Sequence, residues 1–313
     1  MTTSAARILV TGAGGFIGRQ LCAALRADPA FADARLVLLD TVAIGGDAHA
    51  RIETIQGDLG DPAILAAAVA GGVDLVYHLA GVVGGAAEAD HAAARRVNID
   101  ATLDMFERLR DTGRCPRVVY ASSIAVFGEP PPPAVDDDTA PRPTMVYGAH
   151  KRTMEIALAQ FSARGWLDGL SVRLPAIVAK PAAPGVPAVF LNRIFHVHAT
   201  GEAMTVPVSP EGTIWLLSTQ ACVEALLHAG RVPLLSPLAD RTITLPALRV
   251  TIRALIDTLA RHYPDTAPAI TFAPRPALEA QFASQPPLVT STADRLGFRH
   301  DGDLDRLVRH AIA

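Results

Sequence analysis

The chain has 313 residues, 50% of them hydrophobic and 19% charged, with a formal net charge of −3. That suits one large α/β domain, or a domain with a smaller lobe, and the mild acidity without a basic stripe excludes nucleic acid as the main partner. Cys22, Cys115 and Cys222 are odd in number, far apart and without CxxC spacing, so neither a disulfide framework nor a zinc site is expected.

Residues 7–10 are a short apolar run that reads as a buried strand. The run leads into Gly12-Ala13-Gly14-Gly15-Phe16-Ile17-Gly18, after which residues 20–26 show helical periodicity. Strand, glycine turn and helix in that order are the setting of a dinucleotide fingerprint. Glycines let the backbone approach a pyrophosphate, whose charge meets the helix N-terminus. The spacing is GxxGxxG (Gly12, Gly15, Gly18), not the strict GxGxxG, and taken alone it is as readily just a turn. The next strand, 36–39, ends in Asp40, 22 residues beyond Gly18. A carboxylate there bonds both ribose hydroxyls of an adenosine and repels a 2′-phosphate, which selects NAD over NADP.

Residues 52–56 read as a third strand, and Gly57-Asp58-Leu59 follows. Asp61-Pro62 is an N-cap and first-turn pair that opens a helix. A fourth strand over 74–78, a loop over 79–85 and a helix over 88–110 come next, and a fifth strand, 117–121, delivers Ser122 and Ser123. Strand and helix keep alternating, which implies a Rossmann-type doubly wound parallel sheet. Between 128 and 143, Pro130-Pro131-Pro132-Pro133 and Asp136-Asp137-Asp138 describe a stiff, solvated surface loop. That loop separates the serine strand from the next helix, 147–164, so it is expected to border the site; a sixth strand spans 170–174.

The helix opens with Tyr147-Gly148-Ala149-His150-Lys151. A tyrosine and a lysine four apart lie on one face, one turn above each other. An ammonium near a phenol favours the phenolate, lowering a pKa that is otherwise about 10. Such a phenol suits a general base for a substrate hydroxyl, and a serine at a strand end would hold the same oxygen. Tyr-x-x-x-Lys by itself is common on ordinary helix surfaces.

After Pro175 the alternation fades. Residues 180–187 are rich in Pro and Ala, an apolar segment spans 189–197, and a strand is expected over 242–245, with helices over 251–263 and 304–312. The expected division is a dinucleotide-binding domain over 1–174, with a return segment near 212–232, and a mainly substrate-binding lobe over 175–313. The most apolar stretch, 63–87, is interrupted by Asp74, His78 and glycine pairs, and residues 1–6 lack a signal pattern. A soluble, cytoplasmic protein is expected.

Together, Thr11-Gly12-x-x-Gly15-Phe16-Ile17-Gly18, Asp40, Gly57-Asp58-Leu59, His78-Leu79-Ala80, Asn98, Ser122-Ser123 with Val126-Phe127-Gly128, and Tyr147-x-x-x-Lys151 resemble the extended short-chain dehydrogenase/reductase family, the NAD-dependent epimerases and dehydratases. The match runs over essentially the whole chain. The resemblance implies that Gly12, Gly15, Phe16, Ile17 and Gly18 cradle the pyrophosphate of NAD, that Asp40 holds the adenosine ribose, and that Asp58 and Leu59 meet the adenine. It implies that Leu79 and Ala80 line the cofactor path, that Asn98 belongs to the same site and braces the helix carrying Tyr147, and that Ser123, Tyr147 and Lys151 are catalytic. Lys151 would also bond the nicotinamide ribose. Ser122 is the less favoured serine, and His78 is a structural residue. A homodimer through helices 88–110 and 147–164 is implied by the resemblance, not by composition.

Members acting on nucleotide sugars continue the sixth strand into Arg-x-x-Asn-x-Tyr-Gly-Pro. Here it reads Arg173-Leu174-Pro175-Ala176-Ile177-Val178-Ala179-Lys180-Pro181, with neither the asparagine nor Tyr-Gly-Pro. Ala87-Glu88-Ala89-Asp90, Pro207-Val208-Ser209-Pro210, Trp215-Leu216 and Leu296-Gly297-Phe298-Arg299 are instead similar to members that oxidise a small sugar acid, D-erythronate, at a secondary hydroxyl. Those members often have a serine before the glycine where this chain has Gly84-Gly85. A sugar acid needs a cation for its carboxylate, and Arg173 and Arg193 are candidates, with His196 and His198 in the segment of Arg193. The alternatives are a sugar or nucleotide-sugar epimerase or dehydratase, and a dinucleotide-binding module without turnover. The latter would have no chemical need of Ser123, Tyr147 and Lys151 together. No metal is implied.

Overall fold

The computed structural model describes residues 6–45, 50–178, 189–233 and 240–312; the Pro- and Ala-rich stretch 180–187 lies outside them. In chain order the strands are Arg7–Thr11 (β1), Arg35–Asp40 (β2), Ile52–Gln56 (β3), Leu75–His78 (β4), Arg117–Ser123 (β5), Asp168–Leu174 (β6), Ala176–Val178 (β7), Met204–Val206 (β8), Thr213–Ser218 (β9), Thr242–Thr244 (β10), Leu248–Thr251 (β11) and Ile270–Phe272 (β12). The helices are Phe16–Ala27 (α1), Pro62–Val69 (α2), Gly84–Ala89 (α3), His91–Arg95 (α4), Thr102–Asp111 (α5), Val146–Ala163 (α6), Val189–Thr200 (α7), Thr219–Ala229 (α8), Ile252–His262 (α9), Pro276–Phe282 (α10), Ser291–Arg295 (α11) and Leu304–Ile312 (α12).

The chain divides into two units. The first comprises Met1–Ser123, Met145–Arg173 and Val223–Ile243, and the second Ile124–Thr144, Leu174–Cys222 and Thr244–Ala313. The segment that returns to the first unit therefore begins at Val223, later than a return near 212–232, and Ile124–Thr144 groups with the second unit rather than within 1–174. Both differences have a packing cause. Arg241 O accepts from Ser171 N, which draws the chain around β10 onto β6, whereas Val135 is buried against Phe127 and Trp215 in a cluster of the second unit.

The first unit is built on a seven-stranded sheet in the order β10-β6-β5-β4-β1-β2-β3. Strand β1 pairs parallel with both β2 and β4, so the strand order reverses there, at the kind of crevice where open α/β sheets hold ligands. Ile8, Leu9, Val10, Val76, Val118 and Val119 are fully buried, because helices cover both faces of a parallel sheet. Leu65 of α2, Met105, Phe106 and Leu109 of α5, and Met154 and Leu158 of α6 pack on Leu9, Val37, Val76 and Val118. Each such side chain contributes roughly 1.5–3 kcal/mol by leaving water.

The expected helix over 88–110 is broken, and α3 begins inside the expected loop. The Asp90 carboxylate accepts from Ala93 N at 2.9 Å and caps α4 afresh, in preference to continuing the preceding turn. Residues Arg96–Ala101 then form a π-helical turn ahead of α5. Apolar periodicity does not record such a change of hydrogen-bond register.

In the second unit β9 pairs parallel with β7 and antiparallel with β11, while β8 pairs parallel with β12. Its core joins Phe190, Leu191, Ile194 and Phe195 of α7 to Ile214, Leu216, Ile252, Leu255, Leu307 and Val308. The proline- and aspartate-rich loop is anchored at Val135, which donates to Pro287 O and accepts from Val289 N, while Asp136, Asp137 and Asp138 are exposed. No helix of the described residues is long and apolar enough to cross a membrane.

Candidate active site

Strand β1 ends in Thr11, and the chain turns at Gly12 with φ +72°. A Cβ on Gly12 would sit 2.7 Å from Ala80 N, so only glycine allows both this left-handed turn and the close approach of the loop after β4. A Cβ on Gly18 would collide with Gly12 O, which lets α1 start hard against the turn. The helix begins at Phe16 with Gly15 as N-cap and no side-chain cap, so its leading N–H groups are open to a ligand. Asp40 closes β2, and its carboxylate accepts from Gly14 N at 2.9 Å and Val42 N at 3.1 Å. An uncapped helix N-terminus behind a glycine turn, with a carboxylate at the next strand end, fits a dinucleotide.

Around this turn Leu79 N donates to Thr11 O at 3.1 Å and Ala80 N to Thr11 Oγ1 at 3.3 Å. Asp58 accepts from Gly60 N at 2.8 Å and pairs with Arg96 at 2.9 Å, and Leu59 is buried. Asn98 stands in the π-helical turn and engages Val82 with its whole amide, accepting from Val82 N and donating to Val82 O, each at 2.8 Å. That grip holds the loop after β4, while the π-helical turn that carries Asn98 also packs against α6, the helix of Tyr147.

Strand β5 runs on through both serines. Ser123 hydrogen-bonds Tyr147 in the first turn of α6, and that turn is held by Glu88 Oε1, which accepts from Val146 N at 2.6 Å. Lys151, one turn further on and buried, donates from Nζ to Ala121 O at 2.6 Å and lies 4.6 Å over the Tyr120 ring and 5.6 Å from the Tyr147 ring centroid. Ser122 points elsewhere, since successive strand residues face opposite sides; its hydroxyl is buried and donates to Glu155 Oε1 at 2.5 Å. The structure therefore brings Ser123, Tyr147 and Lys151 together and gives Ser122 a different partner.

The electrostatics differ from the expected lysine-lowered phenol. Burial pushes the Tyr147 hydroxyl up to about 12, with the Ser123 hydrogen bond working against it. Burial also pulls Lys151 down to about 8, partly opposed by Glu155. The chain alone thus holds Tyr147 as a phenol beside a Lys151 still mostly charged at neutral pH. His78 is fully buried and kept neutral, its pKa pulled to about 3 by burial and then by the charge of Lys151. Its ring bridges Thr11 Oγ1 at 2.6 Å and Thr102 Oγ1 at 3.0 Å and stacks on Tyr120, which makes it structural.

Arg173 is already engaged by a carboxylate of the chain. It is buried and donates Nε and Nη2 to the two oxygens of Glu155, each at 2.9 Å, so it does not serve as the cation for a substrate acid. Arg193 and His196 share Glu202 at 3.6 and 3.5 Å, and the buried His198 places Nδ1 2.7 Å from Ile194 O. Glu88 and Glu155 escaped the sequence reading as parts of the site. Glu155 had a signal: it extends the four-residue step from Tyr147 to Lys151 by one more turn.

A family model described as NAD dependent epimerase/dehydratase matches residues 8–215. The chain is similar to the D-erythronate dehydrogenase of Cupriavidus necator, with 37% identity over 314 residues and 96% of each chain covered. It is also similar to the D-erythronate dehydrogenase of Haemophilus influenzae, 30% identical with 98% of each covered. Among solved structures, a nucleoside-diphosphate-sugar epimerase from Agrobacterium tumefaciens matches with a TM-score of 0.87 at 27% identity, over 97% of this chain and 92% of that one.

Proposed function

The chain belongs to the NAD-dependent epimerase/dehydratase family of extended short-chain dehydrogenases as an NAD-dependent oxidoreductase, and from that premise we propose that it oxidises a secondary hydroxyl of a small sugar acid, D-erythronate to 2-oxo-tetronate. The observation that carries this reading is the 37% identity to a D-erythronate dehydrogenase over 96% of both chains.

The residues suit the chemistry. The 12–18 turn and the N-terminus of α1 would hold the pyrophosphate, Asp40 the adenosine ribose, Asp58 and Leu59 the adenine, and Leu79 and Ala80 the path toward the reacting end. When bound, NAD⁺ supplies the acceptor for the hydride that leaves the carbinol carbon and a positive ring that offsets the burial of the phenol. Tyr147 Oη takes the proton of the substrate hydroxyl. Ser123 Oγ, already hydrogen-bonded to Tyr147, donates to the same oxygen as it becomes a carbonyl. Lys151 moves no proton; its ammonium favours the phenolate. The second unit would carry most of the substrate contacts. A homodimer through the α3–α5 and α6 faces and a cytoplasmic location belong to the same reading, on the strength of the family resemblance alone.

The test is NADH absorbance with NAD⁺ and a panel of four- to six-carbon aldonates. Turnover on erythronate or threonate, reduced by about 10³-fold or more in Tyr147→Phe, is expected. Silence on every acid with NAD⁺ still bound would overturn it. The likeness to a nucleoside-diphosphate-sugar epimerase favours a second reading, epimerisation with the cofactor recycled. Net NADH release separates the two, and the missing Asn and Tyr-Gly-Pro after Arg173 weigh against the second.

A further inference from the structure

Glu155 lies on α6 with its side chain wholly shielded from solvent, and no step above uses it. Arg173 of β6 donates to both of its oxygens at 2.9 Å, Ser122 of β5 donates at 2.5 Å, and Arg152 of α6 donates at 3.1 Å. One turn back along α6, Lys151 holds Ala121 O, and two turns back Tyr147 meets Ser123. Three successive turns of one helix therefore grip three consecutive residues of one strand.

We propose that Glu155 is the positioning residue of this site: anchored by Arg173, it fixes the register of α6 on the strand carrying Ser123 and keeps the ammonium of Lys151 charged beside Tyr147. The proposal rests on the reading of Ser123, Tyr147 and Lys151 as the catalytic set.

The groups facing Lys151 from the packed elements leave this task to Glu155. From β4, His78 is neutral; from β5, Tyr120 is buried and raised far above the ordinary phenol range. The π-helical turn offers the uncharged Asn98. On α6, Tyr147 is a phenol and Arg152 is positive, and Arg173 on β6 adds a second positive charge. Glu155 is the anion that opposes the burial pulling Lys151 down to about 8. A lysine is the fitting residue for such a position, because an ammonium shifts with its surroundings whereas a guanidinium stays charged.

Lys151 and Lys180 are the only lysines in the sequence. Protein labelled with ¹³Cε-lysine thus shows two side-chain resonances, told apart with Lys180→Arg, and a titration without cofactor reads Lys151 directly. In Glu155→Gln its midpoint should fall by about one pH unit or more. The alkaline limb of kcat against pH should move down with it, while the Kd for NAD⁺ by fluorescence quenching stays within about twofold. Glu155→Asp keeps the charge at shorter reach; a smaller fall in midpoint with a lowered kcat is expected, and this variant carries the test where Glu155→Gln does not fold. An unchanged midpoint and pH profile in the folded variants, with only a lower melting temperature, overturns the proposal. Tyr147→Phe separates the two readings: full turnover there would sink the catalytic set itself, whereas loss of turnover there beside an unmoved Lys151 in Glu155→Gln would sink only the role of Glu155.

Discussion

The seam between β5 and α6 and the exposed side of α7 use the same residue types in opposite ways. Along the seam, Lys151 and Arg173 are buried and each reaches a fixed acceptor within 2.6 to 2.9 Å. On α7, Arg193 is 51% exposed, and it shares Glu202 with His196 at 3.6 and 3.5 Å. Removing water forces a charge to find a protein partner of good geometry, whereas at the surface water competes and the pair contributes about 0–1 kcal/mol. A basic residue at a suggestive place in a sequence is therefore not yet a ligand for a substrate acid. Its charge has first to be free of partners inside the fold, and that of Arg173 is not.

The contrast is sharpened most by breaking the buried pair. Arg173→Met leaves the buried Glu155 carboxylate with only Arg152 and Ser122 as partners and should lower stability by about 3 kcal/mol in urea unfolding. A loss below about 1 kcal/mol would put this pair in the same class as the surface ones. A medium effect is expected from acid. Below pH 6.5 the unfolded chain takes up a proton that folded His78 refuses until about pH 3, so stability falls as pH falls through that window. Between pH 6.5 and 5 the cost is about 2 kcal/mol, read as a falling urea midpoint that becomes flatter in His78→Gln. The smallest effect belongs to α7: Arg193→Ala should stay within about 0.5 kcal/mol of the parent, and a larger loss would show that its charge has a partner beyond Glu202.

The same contrast explains how far the sequence could be read. The cap at Asp61, the glycine turn and Asp40 at the end of β2 were legible because each is decided by residues within a few positions of one another. The break before α4 had a local signal in Asp90, but the π-helical turn that carries Asn98 had none, since a shifted hydrogen-bond register leaves the apolar pattern nearly unchanged. The three-residue strands β7, β8 and β12 were missed in a chain region with no repeating pattern, where pairing partners lie far along the sequence.

By itself, the sequence determined the strand, glycine turn and helix that open the chain, the carboxylate at the end of the second strand, and a helix face shared by Tyr147 and Lys151. Those follow from dihedral freedom and helical period, which are local properties. Only the tertiary structure decided that Ser122 and Ser123 part company, that Arg173 belongs to Glu155, and that burial pushes Tyr147 up while it pulls Lys151 down. Each of these depends on which distant side chains meet and on how much water they exclude, and both are properties of the packed fold.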